Sequence, residues 1–186
     1  MTGKTPEKEA EELIRVDHPW YVEYRKTAGE YASVYLTHLR EKGKRLAARC
    51  PNCQKLHSPP GCVCATCHTR IPPYPEGWIE LSGKARLVYW DKQITPMMNI
   101  MGEETLSPNL LCTVVLDEGL AMLGMLDVLA DSPEEAKVQN GLRLELALKP
   151  WSERIGSPVE DILYWKVLWD EPVVETKLDA VAEMSW

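Results

Sequence analysis

Five of the six cysteines lie between Cys50 and Cys67, and four of them form two pairs, Cys50-x-x-Cys53 and Cys64-x-x-Cys67. Each pair can place two thiolates on one side of a tetrahedral ion at about 2.3 Å. The proline-bearing loop from Gln54 to Val63 lets the two knuckles face each other. This is zinc-ribbon spacing, so Zn2+ is the expected structural cofactor and Cys50, Cys53, Cys64 and Cys67 its expected ligands. Iron can occupy the same four sulfurs. The competing chemistry is a thioredoxin-like redox pair, but that motif belongs to a βαβ context, and the sequence shows none. Cys62 stands two residues from Cys64 and is an alternative ligand by spacing alone; Cys64 is preferred because it completes the second CxxC. His57 and His68 flank the knuckles, yet four thiolates already close a structural site, which leaves both histidines solvated or hydrogen-bonded. Cys112, among Leu110, Leu111 and Val114, reads as a small buried strand residue. No Ser-His-Asp or Cys-His arrangement is visible.

The knuckles need a frame, and their own segment cannot supply one by burial. It holds Pro51, Pro59, Pro60, Gly61, Pro72, Pro73 and Pro75 and almost no large aliphatic side chain. Structural zinc contributes an apparent binding free energy of about 10–16 kcal/mol near neutral pH, more than so small a segment gains from apolar burial. The segment is expected to unfold without metal. A helix from about Gly29 to Lys42 leads into it, with Tyr31, Val34, Tyr35 and Leu39 at helical spacing and Gly43 as the stop.

After Trp78 the texture becomes short apolar stretches separated by turn residues, the signature of an all-β domain. Trp78 to Leu81 and Ala85 to Trp90 flank Ser82-Gly83-Lys84, a bulge or tight connection. Leu110 to Leu116 and Leu120 to Val128 are joined by Asp117-Glu118-Gly119, as in a hairpin. Leu142, Leu144, Leu146 and Leu148 alternate with Arg143, Glu145 and Ala147, so one face of that strand is buried. Ser132-Pro133-Glu134-Glu135 reads as a capped start of a short helix. Ile162 to Trp169, apolar on both faces, fits a last strand covered on one side by another element. Five or six strands with one inserted helix match a small Greek-key barrel of the OB type better than a larger sandwich. The expected fold is therefore mainly β with N-terminal helices, a rubredoxin-like zinc ribbon followed by an OB-fold barrel. The expected units are a helical arm over 1–47, the ribbon over 48–76, the barrel over 77–172 and a tail over 173–186.

Charge is unevenly placed. From Thr37 to Arg70 seven basic residues face one acidic residue, whereas the remainder of the chain carries 14 basic and 27 acidic residues. Four thiolates around Zn2+ subtract about two charges, and a positive patch survives on an acidic protein. Phosphates can bind such a patch, with Arg40, Lys44, Arg45 and Arg49 as candidate contacts. A solvated helix end explains the same residues equally well.

Several of these features occur in one order: Tyr24 and Gly29 before a helix, Arg49-Cys50-Pro51-x-Cys53, Pro59-Pro60, Cys64-x-x-Cys67, Trp78, Leu81-Ser82-Gly83 and Leu116-Asp117-Glu118-Gly119. In this order the segment from about Tyr24 to Val128 resembles the family of OB-fold proteins with an N-terminal rubredoxin-like zinc ribbon that accompany acyl-CoA enzymes. Two positions depart from the pattern: Gly61 stands where an Arg commonly follows the double proline, and Ala65 where a Pro follows the third ligand. The resemblance implies a non-catalytic partner of a thiolase-fold subunit in a hetero-oligomer. The nucleophilic Cys and acid/base groups would lie on that partner, and this chain would assist binding of a CoA thioester. The extended helical lead-in is most similar to small subunits of aromatic-degradation thiolases of the benzoylsuccinyl-CoA type.

OB barrels and zinc ribbons also serve as single-stranded nucleic-acid modules, which is the competing reading. The acidic balance outside the ribbon opposes it. The charged start from Met1 to Arg15 lacks the apolar stretch of a secretory signal, and no stretch reaches the roughly 20 apolar residues of a bilayer span. Cytoplasmic residence without a membrane partner is the expectation.

Overall fold

The computed structural model describes residues 27–92, 97–98, 104–105 and 108–174. The expected helical stretch from Glu7 to Ile14, Tyr24 and the acidic tail beyond 174 lie outside them.

Helix α1 (Gly29–Lys42) forms where the sequence places it. Tyr35 and Leu39, one turn apart, are buried, and the Thr27 hydroxyl accepts the Gly29 N–H at 3.2 Å. Gly43 ends the helix in the left-handed region, φ 63°, and returns its N–H to the Leu39 carbonyl at 3.0 Å. A residue with a Cβ would be strained at that φ, which is why glycine is the natural stop.

Three short strands follow as an antiparallel sheet in the order β2-β1-β3: β1 (Leu46–Arg49), β2 (Leu56–His57) and β3 (Trp78–Glu80). Trp78 to Leu81 thus differs from its expected place at the start of the all-β domain. Its strand pairs Leu46 with Glu80, Ala47 with Ile79 and Ala48 with Trp78, and completes the ribbon's sheet. The small side chains of Ala47 and Ala48 let the chain approach from both edges. Gly83, at φ 75°, then turns it into the barrel.

The barrel is built from β4 (Lys84–Asp91), β7 (Asn109–Leu116), β8 (Ala121–Leu129), β9 (Arg143–Leu148) and β10 (Ile162–Val167). A separate two-stranded pair, β5 (Met97–Met98) and β6 (Glu104–Thr105), lies between β4 and β7 in sequence. Around the closed barrel the order is β10-β8-β7-β4-β9. Neighbours run antiparallel except β8 and β10, which meet in parallel at Leu126 and Trp165. This is the five-stranded OB arrangement.

Strand β7 shows why the barrel closes: Leu110, Cys112, Val114 and Leu116 point inward in strict alternation. Leu87, Leu110, Leu126, Leu144 and Trp165 complete the interior, each buried leucine contributing about 1.5–3 kcal/mol before entropy is counted. The Trp165 ring fills the space that a Cβ on Gly124 would need, 2.7 Å from its nearest atoms. In β9 the alternation is weaker than the sequence suggests, for Leu144 is buried while Leu146 and Leu148 are half-buried near the rim. Leu163 and Tyr164 of β10 are exposed, and no described element covers that face. The inserted helix is one 3-10 turn, Glu135–Lys137.

Two features hold α1 to the barrel. Arg45 donates to the Tyr35 hydroxyl at 3.2 Å and contacts the Met122 sulfur at 3.0 Å, linking helix, ribbon and β8. On the other side, the buried Asp161 carboxylate accepts the N–H groups of Ile155 and Gly156 at 3.0 and 2.7 Å. Ser157 caps the short helix α2 (Pro158–Asp161) that carries it. That loop is consequently rigid and lies on α1, where a Cβ on Gly156 would come 3.0 Å from the Leu36 carbonyl. Among the described residues, no helix is long and apolar enough to cross a membrane.

Candidate metal centre

The two knuckles have the same local construction. In the first, the Gln54 N–H reaches the Cys50 carbonyl at 3.0 Å and the Cys50 N–H reaches the Lys55 carbonyl at 2.9 Å. In the second, His68 and Cys64 repeat those bonds at 3.0 Å to Cys64 and 2.9 Å to Thr69. Gln54 and His68 occupy equivalent left-handed positions, φ 62° and 58°. Each turn exists to bring the two sulfurs of a CxxC to the same side of the backbone.

The result is one cluster. The sulfurs of Cys50, Cys53, Cys64 and Cys67 all lie within 4.8 Å of one another, with Cys50 3.4 Å from Cys67 and Cys53 3.6 Å from Cys64. Disulfides require about 2.05 Å, so these are not bonded pairs. Four sulfurs at about 2.3 Å from a tetrahedral centre would stand roughly 3.8 Å apart, which the observed spacing approaches. The cluster can hold a metal ion, and an all-sulfur tetrahedral set is chemically suited to zinc or iron.

Electrostatics points the same way. The Cys67 thiol is lowered to about 5, first by the Thr69 hydroxyl and then by the Thr69 amide. Cys64 is also lowered: burial opposes ionisation, but the amides of Cys67 and Thr66 and the neighbouring Cys53 outweigh it. At Cys53 the Lys55 amide favours the thiolate, yet burial and the three surrounding cysteines win and raise it to about 12. Four adjacent thiols cannot all ionise together unless a cation neutralises them.

Around the sulfurs, Ala48, Cys50, Cys64 and Ile71 form a miniature apolar cluster edged by Tyr31 and Trp78. The Tyr31 hydroxyl donates to the Ile71 carbonyl at 2.6 Å, and the Trp78 indole N–H to the Pro72 carbonyl at 2.9 Å. The proline-rich segment thus does have a core, anchored by aromatic side chains from α1 and β3. Cys62 is exposed and stands outside the cluster, its carbonyl accepting the Ile71 N–H at 3.0 Å. His57 Nε2 lies 3.1 Å from the Cys64 sulfur, while His68 is exposed. Cys112 is buried in the barrel, and burial raises its thiol to about 12.

The four basic candidates do not converge on one pocket. Arg40 is paired with Glu41 at 2.8 Å on the helix surface, and Arg49 donates to the Gln54 carbonyl at 2.9 Å beside the first knuckle. Arg45 is engaged with Tyr35 and Met122. Lys44 and Arg45 line a pocket of about 100 Å³ together with Ser82, Gly83 and Glu145. That is room for about three waters, so contact with a larger anion would be made on the surface. The residues missed by sequence reasoning are those that lock the site's frame, Asp161 and Arg154. Arg154 donates to the Lys149 carbonyl at 2.7 Å and covers Gly43 at the end of α1. An isolated Asp or Arg in a loop carries no periodic signal that would reveal such a role.

No protein-family model and no curated protein matches the chain. Among solved structures, one neighbour is the Ltp2-ChsH2(DUF35) aldolase, 18% identical, with a TM-score of 0.47, covering 77% of this chain and 98% of its own. Another is a DUF35 family protein of unknown function from Sulfolobus solfataricus, 14% identical, with a TM-score of 0.41, covering 73% of this chain and 81% of its own.

Proposed function

We propose that this chain is a non-catalytic, zinc-containing subunit of a thiolase complex acting on a 3-oxoacyl-CoA. Its role in that complex is to build the assembly and to assist binding of the CoA ester. Cys50, Cys53, Cys64 and Cys67 hold the zinc, whose task is structural: it fixes the two knuckles and the loop between them. The nucleophile and the acid/base groups belong to the larger partner. Exposed Lys44, with Arg40, Arg45 and Arg49, supplies positive charge toward the CoA phosphates. The acyl group proposed is aromatic, of the benzoylsuccinyl-CoA kind, and the complex works in the cytoplasm.

One observation carries this reading. The residues of the ordered motif, distant in sequence, meet in space: the knuckles converge on one point, and Ser82 of Leu81-Ser82-Gly83 donates its N–H to Glu118 of the hairpin turn at 2.7 Å. Asp117, in the same turn, donates its N–H to the Lys84 carbonyl at 3.1 Å and grips Arg143 through both carboxylate oxygens at 2.5 and 2.6 Å. A motif whose parts cooperate structurally is better support for the resemblance than cysteine spacing alone.

Co-expression with thiolase-fold subunits of the same source, followed by intact-mass measurement and zinc analysis, tests the proposal. A stable hetero-oligomer with about one zinc per chain, whose thiolytic activity is lost when this chain is omitted, is the expected result. A chain that stays solitary and binds single-stranded nucleic acid with a steep salt dependence would replace this reading with the nucleic-acid module.

A further inference from the structure

The pseudo-equivalent knuckles differ in what reaches their sulfurs. In the second knuckle, Cys64 faces His57 Nε2 at 3.1 Å and accepts the Thr66 N–H at 3.4 Å, with the Cys67 amide also directed at it. Cys67 has the Thr69 hydroxyl at 3.3 Å and hydrogen bonds from the Thr69 amide and the Asn52 side chain. In the first knuckle, Cys53 accepts from the Lys55 amide alone among backbone and non-sulfur groups. Among the described residues, the hydrogen bond shown for the Cys50 sulfur is its contact with Cys67. Access divides the pairs again: Cys50 and Cys64 are fully buried, whereas Cys53 and Cys67 are half-exposed.

A sulfur lone pair held by an N–H or O–H donor is less available to a carbon electrophile, and a buried sulfur cannot be approached. Cys67 is accessible but heavily hydrogen-bonded, and Cys50 is sparsely hydrogen-bonded but enclosed. Only Cys53 combines access with a nearly uncommitted sulfur. We propose that Cys53 is the modification site through which a soft carbon electrophile opens the metal centre, while Cys64 and Cys67 remain its protected half.

The inference rests on the zinc reading given above. In the reaction, the Cys53 thiolate forms an S–C bond, the carbon–leaving-group bond breaks, and the leaving group departs with the electron pair. The product thioether is neutral and a poor ligand, so the remaining three thiolates release the ion.

The test uses the full zinc-loaded chain carrying Cys62→Ser, which removes the exposed bystander thiol. Limiting iodoacetamide is added with a chromogenic chelator present, iodide being the leaving group, and singly modified chains are mapped by peptide mass spectrometry. Zinc release is expected to track the first adduct, with Cys53 carrying it about five times as often as Cys64 and Cys67 together. In a His57→Leu background the share on Cys64 should rise severalfold, because its donor is gone. A metal-loaded chain whose first adduct falls on Cys64 or Cys67, or one that loses zinc with Cys53 intact, overturns this inference alone. A chain that binds neither zinc nor iron overturns the metal reading and this inference together.

Discussion

The ribbon and the barrel each close a small β-sheet structure around an interior, and they do so with opposite chemistry. Inside the barrel, Leu87, Leu110, Val114, Leu126, Leu144 and Trp165 exclude water by area alone. Inside the ribbon, the buried residues are Ala48, Ile71 and two of the four clustered cysteines, Cys50 and Cys64. Alanine and cysteine remove little apolar surface from water, so the ribbon's interior is held by what its sulfurs bind rather than by what they hide. The barrel should therefore respond to heat and denaturant, and the ribbon to chelator and acid. Helix α1 belongs to both, with Tyr31 on the ribbon and Tyr35 hydrogen-bonded to Arg45 at the barrel's edge.

The largest expected effect breaks the comparison from the ribbon side. Removing the metal, or replacing Cys50 or Cys64 by Ser, should take away most of an apparent stabilisation of about 10–16 kcal/mol and unfold residues 46–80 while the barrel stays closed. Hydrogen exchange with peptide readout checks this: amides of β1 and β3 should lose protection and those of β7 and β8 keep it. Loss of protection throughout would mean that the two interiors are one cooperative unit. From the barrel side, Trp165→Ala should cost about 3–5 kcal/mol in denaturant unfolding and leave zinc stoichiometry unchanged.

Gly124→Ala sharpens the same point with a smaller change. Its new methyl group meets the Trp165 ring, and overpacking of this kind costs about 1–3 kcal/mol, read as a lower midpoint at constant slope. The smallest effect concerns the pair that ties the hairpin turn to β9. Arg143 holds the Asp117 carboxyl below its usual range, and the half-exposed position of Asp117 limits the contribution to about 0.5–1 kcal/mol. A depressed carboxylate stabilises the fold above its unfolded value near pH 4 and loses that contribution as pH falls through the folded value. Asp117→Ala should therefore be less stable than the parent at neutral pH and equal to it below about pH 3.

The metal centre and the barrel were legible in the sequence to different depths, for physical reasons. CxxC spacing constrains sulfur positions tightly, because two intervening residues can make one kind of turn, so the four cysteines that meet were readable in advance. The alternation in Leu110 to Leu116 exposed β7 for a similar reason: period two has a single structural meaning. Trp78 to Glu80 was harder, since a short apolar strand does not announce which sheet it will join; its pairing with β1 depends on Ala47 and Ala48, some thirty residues earlier. The basic residues misled in a different manner. Charge adds along a sequence but not in space, and Arg40, Arg45 and Arg49 each turn toward a separate neighbour. Asp161 and Arg154 act through backbone groups, and backbone demand leaves no trace in composition.

Only Leu81, Ser82 and Gly83 separate the last ribbon strand from the first barrel strand, and both ends of this tether are fastened, Leu81 to the Arg45 carbonyl at 2.8 Å and Gly83 to the Leu146 amide at 2.8 Å. A joint so short and so doubly pinned cannot swivel. Any macromolecule that grasps the barrel therefore inherits a fixed bearing to the sulfur cluster, much as a surveyor's bracket carries its sighting mark.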